Sequence, residues 1–202
     1  EITENEPVAV SEEHSNYAEY GVSCKNETDG FINLTTTGGT ETYTYDWTDQ
    51  DGNAVTANDQ GNLENIGAGT YTAVVTDENG CSDTVTVEIT ENEPISISEE
   101  PSDYTGSGVS CNGQTDGFIN ITTTGGTQVY TYSWTVMEET SENGVTLITY
   151  NDITPNDQGN LENIGAGTYT AVVTDENGCS DTVTVEITEN EPVAVSEEHS
   201  NY

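Results

Sequence analysis

Residues 69–90 read GTYTAVVTDENGCSDTVTVEIT, and residues 167–188 read the same. Each copy sets two runs rich in Thr and Val around an Asn-Gly pair, Asn79-Gly80 and Asn177-Gly178. Asn-Gly between such runs is a strong β-hairpin signal, because both residues accept the positive φ of a tight turn. In the second run Val85, Val87 and Ile89 alternate with Thr84, Thr86 and Glu88. That period of two predicts a strand with one buried and one wet face.

Outward from the hairpin, the identity spans residues 58–94 and 156–192. Upstream, GVSCKNETDGFINLTTTGGTETYTYDW at 21–47 pairs with GVSCNGQTDGFINITTTGGTQVYTYSW at 108–134. The phrase EITENEPVAVSEEHSNY occurs at 1–17 and again at 186–202. Cys24 and Cys111 are 87 positions apart, whereas Cys81 and Cys179 are 98 apart. The difference is an insertion between Trp134 and Asn156, around TVMEETSENGVTLITYNDIT. The chain therefore reads as a window onto a tandem array. Residues 1–5 end one repeat, 6–92 form a short repeat, 93–190 a long repeat with an insertion at 136–154, and 191–202 begin the next.

Within a repeat, PVAVSEE (7–13), GFINLTTT (30–37) and TYTYDW (42–47) read as further strands. Ile32 and Leu34 share one face of the second, Phe31 and Asn33 the other; Tyr43, Tyr45 and Trp47 alternate with polar positions in the third. Turn signals at about ten-residue spacing predict a sandwich. Tyr71, after IGAG, resembles the tyrosine corner of immunoglobulin-like domains, and Trp47 sits where such domains keep a core Trp; plain core packing accounts for both as well. The expected core is Trp47, Trp134, Tyr71, Tyr169, Val74, Val172, Val85 and Val183. Pro7, Pro94 and Pro192 begin successive repeats after short linkers and restrict the hinge there.

The chain carries 38 Asp and Glu against a single Lys, a formal net charge of −37. Nothing here could neutralise a phosphate backbone, so nucleic acid is excluded as a partner. An anionic membrane surface is disfavoured for the same reason. Excess carboxylate suits cation binding, or a life in concentrated salt that screens the repulsion. Eleven Tyr, two Trp and patterned Val and Ile argue against disorder. No run of about 18 apolar residues is present, so no membrane span is expected. The start lacks the basic and apolar regions of a signal peptide, as expected of a processed chain or an interior segment.

Each repeat has one Cys before its second strand and one in its last hairpin. If each repeat closes independently, Cys24 pairs with Cys81 and Cys111 with Cys179. A 57-residue loop of this kind contributes roughly 4 kcal/mol by chain entropy. Disulfides imply an oxidising, extracytoplasmic setting. Zinc wants clustered Cys and His, but these cysteines are single and the two His, His14 and His199, are one position repeated. A Cys nucleophile lacks a matching His in each repeat.

The combination of an early SC, TDG-aromatic-Ile, GGT-x-x-YTY-x-W, AGTYT and TD-x-NGC resembles the SprB repeat, a family of very large surface adhesins of gliding bacteria. The match covers nearly all of each repeat. It implies tandem immunoglobulin-like β-sandwiches in a linear array, bacterial export to the cell surface, and service as a stalk or adhesive filament. The partners implied are neighbouring repeats and an unidentified surface ligand. No catalytic residues transfer, and no enzyme is expected; paired carboxylates abound, but the chain has no Arg and no cleft-forming insertion. The insertion departs from the compact pattern and would serve as a display loop. The alternative reading is accordingly a glycan- or protein-binding module using that insertion.

Calcium is the candidate ligand, since hard cations take several oxygens. Glu91, Glu93, Glu99 and Glu100 cluster at the junction TENEP…SEE, with copies at either end of the chain; Asp49 and Asp51 with Asn53 form half of a loop-like DQDGN; NDQGNLEN recurs in both repeats. A solvated acidic face explains all three equally. Asn26 heads a sequon, and Asn33 and Asn120 head two more inside predicted strands. Thr84 and Thr182, in DTV, are similar to the O-glycosylation signal of bacteria carrying this family.

Overall fold

A computed structural model describes residues 6–142 and 145–196. Among the described residues all regular structure is β-strand, in four antiparallel sheets. The chain forms two compact units. The first is Glu1–Pro94 with two short segments from later in the chain, Gly125–Thr127 and Glu176–Cys179; the second is Ile95–Thr124, Gln128–Asp175 and Ser180–Tyr202.

The first unit holds β1 (Ala9–His14), β2 (Gly30–Thr37), β3 (Tyr43–Thr48), β4 (Ala54–Val55), β5 (Leu63–Ile66), β6 (Gly69–Asp77) and β7 (Ser82–Ile89). One sheet runs β1-β2-β5 and the other β4-β3-β6-β7. The second unit repeats the plan with β8 (Ser96–Pro101), β9 (Gly117–Thr124), β10 (Tyr130–Glu142), β11 (Val145–Ile153), β12 (Leu161–Ile164), β13 (Gly167–Asp175) and β14 (Ser180–Ile187). Its sheets run β12-β9-β8 and β11-β10-β13-β14.

The Asn-Gly hairpin forms as its sequence dictates. β6 and β7 pair from Gly69↔Ile89 to Thr76↔Ser82. At the tip Gly80 takes φ 83°, and the Asp77 carboxylate accepts the backbone N–H groups of Asn79 and Cys81 at 3.0 and 2.8 Å. A buried Asp thus satisfies the donors that the turn leaves unpaired.

Each core draws on both sheets of its unit. Val22, Ile32, Trp47, Leu63, Ala73, Val87 and Ile89 make the first; Val109, Ile119, Trp134, Leu161, Ala171, Val185 and Ile187 make the second. Trp47 stands opposite Ala73 in the β3–β6 ladder, and Trp134 opposite Ala171. A small residue beside each indole leaves room for the ring. The indole N–H, which burial would otherwise strand, donates to the Gly61 carbonyl at 2.8 Å in the first unit and to that of Gly159 at 2.8 Å in the second. Gly61 has φ +81°, and a Cβ there would lie 2.4 Å from the Tyr45 ring. Only glycine can present that carbonyl. The Tyr71 hydroxyl donates to the Gly67 carbonyl at 3.0 Å and that of Tyr169 to Gly165 at 2.9 Å. This return bond to the chain four residues upstream is the one a tyrosine corner requires.

Two expected core positions are corrected. Val74 and Val172 are 36% and 37% exposed. On a pleated strand only alternate residues face inward; Ala73 and Val75 hold those places with no exposed surface, so Val74 points out. Val85 and Val183 lie at the core margin, half-buried, as does Tyr71, whereas Tyr169 is buried.

The insertion is a regular hairpin, not a loop. β10 and β11 pair continuously from Trp134↔Ile153 to Glu142↔Val145, where the first unit has only Trp47↔Val55 and Thr48↔Ala54.

Replacing Trp134 with Ala should cost about 3–5 kcal/mol of the second unit's stability by urea unfolding. A loss below about 1 kcal/mol would mean that this indole does not anchor the core.

Candidate functional site

The two cysteine positions of a repeat lie at opposite ends of its sandwich. The early cysteine follows Gly21 and Val22, whose N–H groups both donate to the Thr90 carbonyl, just past the end of β7. Cys81 sits at the other end of β7, in the hairpin tip, where its carbonyl accepts the Asp77 N–H. Nine extended residue steps from Cys81 to Thr90 span roughly 30 Å. A disulfide needs Cα atoms about 4.4–6.8 Å apart. The expected pairs Cys24–Cys81 and Cys111–Cys179 are therefore corrected: strand length forbids them.

Cys24 is bonded instead to Cys179, with Cα atoms 5.7 Å apart. Both belong to the first compact unit, which includes the tip Glu176–Cys179. The tip is also held by hydrogen bonds. The Asn177 side-chain amide donates to the carbonyls of Tyr17 at 3.1 Å and Ser23 at 3.2 Å. Cys81 and Cys111 are exposed free thiols.

The motifs around the early cysteine shape its loop. The carboxylate of Asp29, in TDG, accepts the Ser23 N–H at 3.0 Å, and Asp116 accepts the Ser110 N–H at 3.1 Å. Burial pushes the Asp29 carboxyl up, but the Ser23 hydrogen bonds outweigh it and hold the group below its ordinary value. Asp116 is held low by hydrogen bonding from Ser110. Glu91 bonds Lys25 Nζ at 2.5 Å and the Asn26 N–H at 2.9 Å; its carboxyl is held low and the ammonium high, each chiefly by that mutual bond. In the second unit Glu189 takes the Gly113 N–H at 2.7 Å, so the acid keeps its structural role without a Lys.

The acidic residues singled out as calcium ligands are thus engaged or dispersed. Asp49 accepts the N–H groups of Asp51 and Asn53 at 2.9 and 2.8 Å and the Asn53 amide at 3.0 Å, closing its own turn. Asn58 closes NDQGN likewise through Gln60 and Asn62. Glu99 and Glu100 are successive, exposed residues of β8, opposite Ile121 and Asn120, and Glu93 lies exposed in the linker. Among the described residues no three Asp, Glu, His or Cys side chains come together as a metal group.

Thr84 and Thr182 are exposed on the edge strands β7 and β14. Asp83, beside Thr84, accepts the Val10 N–H at 2.9 Å, which holds its carboxyl low. Asn26 is exposed in a turn with φ 62°. On the β10–β11 hairpin Leu147, Ile148 and Tyr150 are 59%, 50% and 68% exposed.

The chain is a tandem repeat of a seven-stranded, two-sheet β unit with a cysteine at each end. The family model described as SprB repeat matches it twice, over residues 22–52 and 106–136, stretches that hold the SC, TDG, GGT and Tyr-x-Tyr-x-Trp motifs and stop short of AGTYT and TD-x-NGC. Each matched stretch runs from the early-cysteine loop through the core Trp. No curated protein matches the chain.

Two outcomes are expected. Unreduced monomer, unfolded in urea and alkylated, should show two free thiols, mapped by mass spectrometry to Cys81 and Cys111; pairing within repeats would leave none. Asp29, Asp83, Glu91 and Asp116 have folded values below their ordinary 3.8 or 4.5. Their contribution is fully present above those ordinary values and is lost as pH falls through the folded ones. In about 1 M salt, which reduces the Debye length to about 3 Å, the melting temperature should hold from neutral pH to about 5 and fall below about 4.

Proposed function

We propose that this chain is a segment of a long bacterial cell-surface filament, built of immunoglobulin-like repeats and acting as stalk and adhesive array in the manner of gliding adhesins. The observation that carries the reading is the double match to the SprB repeat on two units of one plan, joined by a short linker. The role is mechanical and non-catalytic, and the setting extracellular, where the Cys24–Cys179 bond persists. Immunogold electron microscopy of source cells, with antibody to one short-plus-long pair, tests it. Regularly spaced label along thin filaments is expected; label confined to the cytoplasm would overturn it.

A second reading is favoured by the β10–β11 hairpin. Leu147, Ile148 and Tyr150 give it an apolar surface that a stalk does not need. On this reading the long repeat binds a glycan or protein through the hairpin. Deleting residues 136–154 should then abolish attachment to surfaces while filaments persist; unchanged attachment would remove the hairpin from the adhesive role.

A further inference from the structure

The bond Cys24–Cys179 joins the early-cysteine position of one repeat to the late-hairpin position of the repeat that follows in sequence. The two free thiols are the other copies of those same positions: Cys111 matches Cys24, and Cys81 matches Cys179. We infer that Cys111 is a docking site for the hairpin tip of a further repeat, and that Cys81 of a second copy of this chain bonds to it, head to tail.

The second-unit face carries the same equipment as the occupied first-unit face. Tyr17 and Ser23, whose carbonyls receive Asn177, correspond to Tyr104 and Ser110. The loop is preset in the same way, by Asp116 on Ser110. What differs is cover. Ser23 and Cys24 are half-buried, whereas Ser110 and Cys111 are exposed. Asn92 is 2% exposed, whereas its copy Asn190 lies open. Beside Cys111 a cavity of about 480 Å³ is lined by Ser110, Asn112, Asn190, Glu191 and Pro192. The tip that fits it is equally uncovered: Asn79 and Cys81 are exposed, whereas Asn177 and Cys179 are half-buried.

The occupant is a second copy of this hairpin because the first-unit face already holds one. The contact joins unlike faces, so each addition leaves one Cys81 and one Cys111 open, and assembly continues as a line. The oxidant is a small-molecule disulfide. The Cys111 thiolate attacks one of its sulfurs and releases one thiol; the Cys81 thiolate of the docked copy then displaces the second. Two protein thiols become one disulfide, one small disulfide becomes two thiols, and the two protons pass to the released thiols.

The inference rests on the array reading, but its test uses purified protein and is blind to cellular location. The 202-residue chain is incubated with oxidised glutathione in about 0.5 M salt, which screens repulsion between copies. Non-reducing electrophoresis should give a ladder, and mass spectrometry should find Cys81–Cys111 peptides far above Cys81–Cys81 and Cys111–Cys111. C81S mixed with C111S should stop at dimer, while each alone stays largely monomeric. N79A should slow cross-linking several-fold with the thiol's reactivity toward a small reagent unchanged, because it removes docking and not exposure. Absence of a ladder, or the statistical mixture of pairings that urea-unfolded chain gives, would overturn the inference. Melting curves matching wild type confirm that the variants are folded. If the ladder fails while microscopy shows labelled filaments, the array reading stands and the cysteine linkage falls.

Discussion

The β6–β7 ladder is a spacer of fixed length, and the chemistry of this chain depends on it. Eight antiparallel pairs, from Gly69↔Ile89 to Thr76↔Ser82, keep the hairpin tip a full strand away from the early-cysteine loop. A repeat therefore cannot close on itself covalently. Its two cysteines become terminals at opposite ends of a rigid element, and the bond goes to another copy of the motif.

The same economy governs charge. With one Lys among 38 acids, ion pairs cannot hold the fold, and most carboxylates with a structural role are bound by backbone N–H groups. Asp77 caps a turn, Asp29 and Asp116 set loops and Asp83 holds a strand. Such charge-assisted bonds need no cation and survive salt better than exposed ion pairs do. The sole Lys marks the exception, and Glu189 shows it to be dispensable by taking a backbone donor at the equivalent place.

Much of this was legible in the sequence. The Asn-Gly hairpin, the Tyr-x-Tyr-x-Trp strand and the tandem order rest on local periodicity and turn chemistry, which strand geometry enforces directly. The inward Trp and the Tyr71 return bond follow from residue types that need a partner when buried. Two expectations fail for one reason: neither the apolar run at 73–75 nor independent closure of each repeat takes account of position along the strand. Alternation from Ala73 turns Val74 outward, and nine residue steps from Cys81 to Thr90 rule out closure within a repeat. The Gly61 carbonyl that receives Trp47 could not be foreseen, because fourteen residues separate the two and only the sheet packing brings them together. Nor does the sequence show that the Asp49 oxygens close their own turn, or that Glu91 is taken up by Lys25 and the Asn26 N–H.

A cross-link between positions 155 residues apart also changes how the chain carries load. Tension applied at the two ends passes from Cys24 across the sulfur bridge to Cys179. The polypeptide between them, which includes Trp47 and Trp134, is bypassed, while β1 before Cys24 and β14 after Cys179 stay in the line of pull. Roughly 500 Å of contour length is withheld from extension. A stretched chain would therefore shed β1 and β14, and the strands enclosed by the bridge would stay together until the sulfur bond is broken.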